Sequence, residues 1–170
     1  MPAVQTQPPA SSTYPVAMPP ATPPSSAASS LSVHIHKEIT VAAPAKIVFA
    51  SIIAQLGTEF VQGDGKPQPL KIEQWPGGRW FRDLGNNSGH LWGHVQVIKP
   101  PTLLELTGPL FMSYAAVNHV QYRLTEQSDG KSTLITFTHR SFGDIAPMHR
   151  EGMTKGWDSM LKQIAERATR

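Results

Sequence analysis

The 170-residue chain has no cysteine, which excludes disulfide frameworks, thiolate zinc sites and cysteine nucleophiles. No stretch approaches the roughly 20 consecutive apolar residues of a membrane-spanning helix, and the N-terminus lacks the basic start and apolar run of a signal peptide, so no membrane span and a cytoplasmic location are expected. Charge of one sign is also scarce: the net charge is +3 and the basic residues are scattered, so composition makes no case for nucleic acid. Residues 1–30 lack Asp, Glu, Lys and Arg altogether, yet hold half of the 16 prolines. A segment with so few large apolar groups cannot offset the entropy of ordering, and reads as a disordered Pro/Ala/Ser-rich tail. Residues 31–170 then suit one domain with a core of its own.

Within that domain, Val33, Ile35, Lys37, Ile39 and Val41 alternate with polar neighbours, the period of a half-buried strand. Val48, Phe49, Ile52 and Leu56 follow at helical spacing between Pro44 and Gly57, which predicts a short helix. Residues 57–69 read as a loop with one helical turn near Glu59–Val61. Strands are expected at Leu70–Trp75, Arg79–Leu84, His90–Ile98, Leu103–Thr107, Asn118–Glu126 and Ser132–Arg140, separated by Gly-, Pro- and Asn-rich turns that favour antiparallel neighbours. Met153, Trp157, Met160, Leu161, Ile164 and Ala168 then form one stripe of a long helix over 147–168, with Asp144 as its expected cap. Gly152 and Gly156 each weaken that helix by roughly 1 kcal/mol relative to alanine, so its stability comes from packing and the glycines leave room for a close approach. The sum is an α+β domain with a seven-stranded antiparallel sheet.

Several of these strings together resemble one superfamily. They are Ala-Pro-Ala-Lys-Ile-Val-Phe at 43–49, Gly-Gly-Arg-Trp at 77–80, Gly-His-Val-Gln-Val-Ile-Lys-Pro-Pro at 93–101, Thr-Leu-Ile-Thr-Phe-Thr-His at 133–139 and Gly-Trp at 156–157. In that order they are similar to the START-like, or SRPBCC, superfamily, and most to the branch named for activators of the ninety-kilodalton heat-shock chaperone ATPase. The resemblance implies a helix-grip fold, in which a curved antiparallel sheet wraps around a long C-terminal helix and leaves an apolar cavity between. It also implies functions seen among such proteins: binding of lipids, sterols, polyketides or plant hormones, and in some members cyclase or dehydratase chemistry.

The residues themselves carry several expectations about a site. Strand parity turns Tyr122, with Val120 and Leu124, and Phe137 and His139, with Ile135, toward the C-terminal helix and its Met153 and Trp157. The segment Gly108-Pro109-Leu110-Phe111-Met112-Ser113-Tyr114 places large apolar groups where a loop is usually polar, as a pocket mouth or partner contact would. In the hairpin over 78–98, pairing around Asn86-Asn87 would put Trp80 and Arg82 on one face with His90, Trp92 and His94, and Phe81, Leu91, Val95 and Val97 on the other. The sequence does not say which face looks inward. The expected ligand-binding set is therefore Trp80, Phe111, Tyr114, Tyr122, Phe137, His139, Met153 and Trp157.

Metal and catalytic readings are weaker. His34 and His36 share a strand face, and His90 and His94 lie roughly 13 Å apart by strand rise, too far for one ion; no carboxylate completes either pair. His139 or Glu73 is chemically able to serve as an acid or base, but neither belongs to a catalytic motif and no nucleotide-binding or nucleophile signature occurs. A binding protein for a small apolar or aromatic molecule is expected, with no metal, cofactor or assigned catalytic residue. The alternatives are a cyclase or dehydratase using the same cavity, and a chaperone ATPase cofactor acting through a surface patch.

Overall fold

The computed structural model describes residues 32–61, 65–110, 115–128 and 130–170. The elements run β1 (Ser32–Val41), α1 (Ala45–Leu56), β2 (Lys71–Ile72), β3 (Arg79–Gly85), β4 (Ser88–Lys99), β5 (Leu103–Gly108), β6 (Ala116–Glu126), β7 (Thr133–Gly143) and α2 (Pro147–Ala168). All seven strands form one antiparallel sheet in the order β1-β7-β6-β5-β4-β3-β2. This is the helix-grip arrangement, with α2 across the inner face and α1 packed beside it. The tail expected over residues 1–30 lies outside the described residues.

The inner face follows the period-two reading. Register places Leu106 beside Val120, Val120 beside His139 and His139 beside Ile35, while Leu104, Tyr122 and Phe137 form the next row. Val120, Tyr122, Ile135, Phe137 and His139 are fully buried, as are the stripe residues Met153, Trp157, Leu161 and Ile164 of α2. Lys37, the polar member of the inward set on β1, lies at the sheet edge and pairs with Asp158 of α2 across 2.9 Å. A half-exposed pair of this kind contributes little stability, but it explains how a lysine occupies an inward position.

The helix termini are satisfied from a distance. The amide of Ala45, in the first turn of α1, donates to the Glu126 carboxylate at the end of β6, and the Trp80 indole N–H donates to the carbonyl of Leu56 at 2.7 Å. Each supplies a partner to a backbone group that the helix itself leaves open. For α2 the expected cap is not the one found. The N-cap is Ala146, without a side-chain hydrogen bond; Asp144 lies two residues earlier, with its own backbone N–H given to the Ala115 carbonyl.

Two further expectations are corrected. The strand expected over Leu70–Trp75 narrows to Lys71–Ile72, because the Glu73 carboxylate accepts from the Arg79 backbone N–H while the chain bends, the Glu73 carbonyl accepting from the Trp75 N–H and the Trp75 carbonyl from the Gly78 N–H. In β4 the simple alternation fails. Trp80 pairs with Gly93 and Phe81 with Leu91, leaving Trp92 as the extra residue of a β-bulge. Trp92 and Val95, expected on opposite faces, are therefore both buried in the core. Gly93 is required there, since an added Cβ would sit 2.5 Å from the Thr107 carbonyl oxygen.

Candidate functional site

Between the sheet and α2 lies a cavity of about 300 Å³. One side of it is aromatic: Trp80 from β3, Trp92 from the bulge of β4 and Phe60 from the loop after α1. Trp92 stands edge-on to both Trp80, with centroids 5.0 Å apart, and Phe60, at 5.3 Å, the edge-to-face geometry that aromatic pairs favour. The other side comes from α2, where His149, Gly152, Gly156, Met160 and Gln163 lie along one face beside the buried Met153 and Trp157. A Cβ added at Gly152 or Gly156 would meet nothing within 4 Å. The two glycines are thus not demanded by packing; they border open space.

Of the eight residues expected from the sequence, Trp80, Met153 and Trp157 line this cavity. Tyr122, Phe137 and His139 do not. They form the layer behind Trp157, whose ring lies 4.6 Å from Phe137, 5.5 Å from His139 and 6.5 Å from Tyr122. Phe111 and Tyr114 lie outside the described residues. Their neighbour Leu110 is buried in the core, and its backbone N–H donates to the Trp92 carbonyl.

Behind the cavity wall runs a buried polar chain. The Trp157 indole N–H donates to His139 Nδ1 at 2.9 Å, so Nδ1 is an acceptor and the proton is on Nε2. His139 Nε2 in turn meets Asn118 Oδ1 at 2.9 Å, and Asn118 Nδ2 donates to the Gly108 carbonyl. Burial, with the nearby His119 adding to it, lowers the His139 pKa to about 4. Burial also pushes the Tyr122 phenol well up, and its hydroxyl donates to the Met160 sulfur. Both groups are neutral packing elements at ordinary pH.

A second polar chain borders the cavity. Gln55, nearly fully buried at the end of α1, donates through Nε2 to Gln163 Oε1 at 2.8 Å and accepts from Arg167 Nη1 at 2.8 Å. Gln163 Nε2 donates to Ser159 Oγ at 3.2 Å, and Arg167 Nε is paired with Glu59. Gln55, Ser159 and Gln163 all line the cavity. Sequence reasoning missed this set. A usable signal was present in α2, where the two glycines, four residues apart, continue one helical face through Met160 to Gln163.

The hairpin's polar residues lie elsewhere. Arg79, Arg82 and His90 border a shallow concavity with Lys71 and Phe81, where Lys71 pairs with Asp83 and Arg79 with Glu73. The bond from Arg79 lowers the pKa of the partly exposed Glu73 to about 2, and Lys71 lowers that of Asp83. Among the described residues no group of three His, Asp or Glu is placed to hold a metal ion, and no helix is long and apolar enough to cross a membrane.

Comparison with known proteins gives a consistent picture. The family model described as Activator of Hsp90 ATPase homolog 1-like protein matches residues 42–169. Similar solved structures include CV1439 from Chromobacterium violaceum (17% identity, 81% of this chain and 97% of that one, TM-score 0.61). NE0264 from Nitrosomonas europaea is comparable (17%, 87% and 98%, TM-score 0.56), as is CalU16 from Micromonospora echinospora (19%, 81% and 75%, TM-score 0.53). At such identities the likeness is one of fold. No curated protein matches the chain in sequence.

Proposed function

We propose, for a chain that belongs to the Activator of Hsp90 ATPase homolog 1-like family, that the cavity between its sheet and α2 binds a small apolar or aromatic molecule. The observation that carries this reading is the pair Gly152 and Gly156, which face open space in the middle of a long helix. Each weakens the helix by about 1 kcal/mol relative to alanine, and no neighbouring backbone or side chain explains them. A molecule lying between them and the Trp80–Trp92–Phe60 wall does. A volume of about 300 Å³ is at the lower end of small-molecule sites.

Binding is favoured over catalysis by the lining itself. Among the described lining residues His149 is the single titratable group, so the paired acid and base of a dehydration or cyclisation have no second member there. His139 is screened by Trp157, and both of its ring nitrogens are engaged within the protein.

Three of the four tryptophans line the cavity, so intrinsic fluorescence reports occupancy. Titration with 6-propyl-2-(dimethylamino)naphthalene, a neutral aromatic probe, should quench it saturably. Gly156→Leu, whose side chain projects into the open space, should fold normally and lose at least tenfold in affinity. A flat titration of the unmutated protein, or equal affinity in Gly156→Leu, refutes the proposal.

A further inference from the structure

We infer that His34 and His36 are half of a zinc site, which a second copy of this chain completes by pairing its own β1 antiparallel to this one along the open edge of the sheet. The site is separate from the cavity. β1 stands at one end of the sheet and its residues pair with β7 alone among the described residues, so its other edge keeps backbone groups that a further strand can take. Ile35 is buried and Lys37 reaches Asp158 of α2, which puts the exposed His34 and His36 on the face opposite that helix. Two imidazoles two residues apart on a strand are roughly 7 Å apart by strand rise. Both can lean onto one ion at Zn–N distances of about 2.0–2.1 Å, but a closed zinc site takes four ligands. One chain does not supply the other two. On β7 the residues in register with His34 and His36 are Arg140 and Thr138, and among the described residues no third ligand converges. Glu38 lies 3.7 Å from His36, yet roughly 13 Å along the strand from His34.

A strand added at the open edge brings the missing ligands within reach, and two-fold antiparallel pairing about Ile35 brings the right ones. That register sets His34 of each copy opposite His36 of the other, because a two-fold interface repeats every contact. Side chains directly opposite each other have Cβ atoms about 4.5–5.5 Å apart, so four imidazoles surround one ion on the outer face. The rest of the register is compatible. Ile35 meets its own copy on the inner side, Lys37 meets Val33 and Glu38 meets Ser32, so no like charges are opposed. The Arg140 guanidinium in register with each His34 is offset by the Glu38 carboxylate beside each His36. Lys37 makes the pairing conditional. A charge on the inner side of an edge strand discourages edge-to-edge association, so the chain stays monomeric until the metal supplies the missing attraction.

Light scattering on a sizing column gives the mass of the full chain in EDTA and in zinc. In EDTA it should be that of one chain, 18.6 kDa; with zinc it should double, and the complex should hold one ion per two chains. His34→Gln and His36→Gln change exposed strand positions and should fold normally. Each should raise the zinc concentration for half-dimerisation at least about tenfold, since even residues that only orient a metal ligand are worth that much. Zinc should also slow amide hydrogen exchange over residues 32–38, where the new strand pairing forms. A chain that stays monomeric in zinc overturns the inference, as does a dimer already present in EDTA. Zinc-driven dimerisation that survives both substitutions, or that leaves exchange over β1 unchanged, overturns it too.

Discussion

The indole N–H of Trp157, on α2, donates to Nδ1 of His139, on β7, across 2.9 Å in a fully buried setting. This bond joins the helix to the sheet at the layer that separates the cavity from the deep core. It also fixes the imidazole tautomer, since a ring nitrogen that accepts cannot carry a proton. The opposite ring nitrogen meets Asn118, so the orientation of a cavity-lining tryptophan is tied through His139 and Asn118 to Gly108, the last residue of β5.

Acid should therefore weaken the fold through His139. Burial lowers its folded-state pKa to about 4, from the ordinary histidine value of about 6.5. Above about pH 6.5 both folded and unfolded forms are neutral and nothing changes. As the pH falls from there toward 4 the unfolded chain takes up the proton first, and about 3 kcal/mol of stability is lost. Urea unfolding at pH 7.5, 5.5 and 4.5 should show this loss in the unmutated protein and a smaller one in His139→Gln.

Trp157→Phe keeps most of the apolar contact and removes the donor. Leaving His139 Nδ1 buried without a partner should cost about 1–3 kcal/mol. Trp157→Ala should cost about 3–5 kcal/mol, as a large core truncation does, since the ring packs on Tyr122, Phe137 and His139 on its inner side. Thermal unfolding of the two variants checks the order.

Gly152→Ala and Gly156→Ala should each raise stability by about 1 kcal/mol, because the new methyl meets open space. Both should weaken binding of the propyl naphthalene probe. Calorimetry and fluorescence titration of the same samples would show stability and affinity moving in opposite directions.

Gly93→Ala should destabilise by about 1–3 kcal/mol or more, the range for forced overpacking, through the clash with the Thr107 carbonyl. The same substitution should disturb the bulge that carries Trp92. A shift of tryptophan emission toward longer wavelength in the folded variant would report Trp92 gaining contact with water.

What the sequence by itself determined is local and periodic. The alternation around Val33–Val41 and Val120–Leu124, the turn residues between strands and the helical stripe from Met153 to Ala168 are each legible because side-chain direction repeats with the backbone. The order of strand, helix, six strands and long helix follows from them, as does the inward direction of Tyr122, Phe137 and His139; the helix-grip fold itself was implied by the family resemblance. Periodicity gives a face but no depth, so it could not tell that Trp157 would border the cavity while Phe137 lay behind it. The Trp92 bulge was illegible for a related reason: it depends on how closely the backbone at Thr107 of the neighbouring strand approaches Gly93. The Gln55–Gln163–Ser159 chain depends on tertiary structure alone. Gln55 and Gln163 are 108 residues apart, neither belongs to a motif, and their amides acquire a direction only where the fold brings Arg167, which can donate but never accept, against the end of α1.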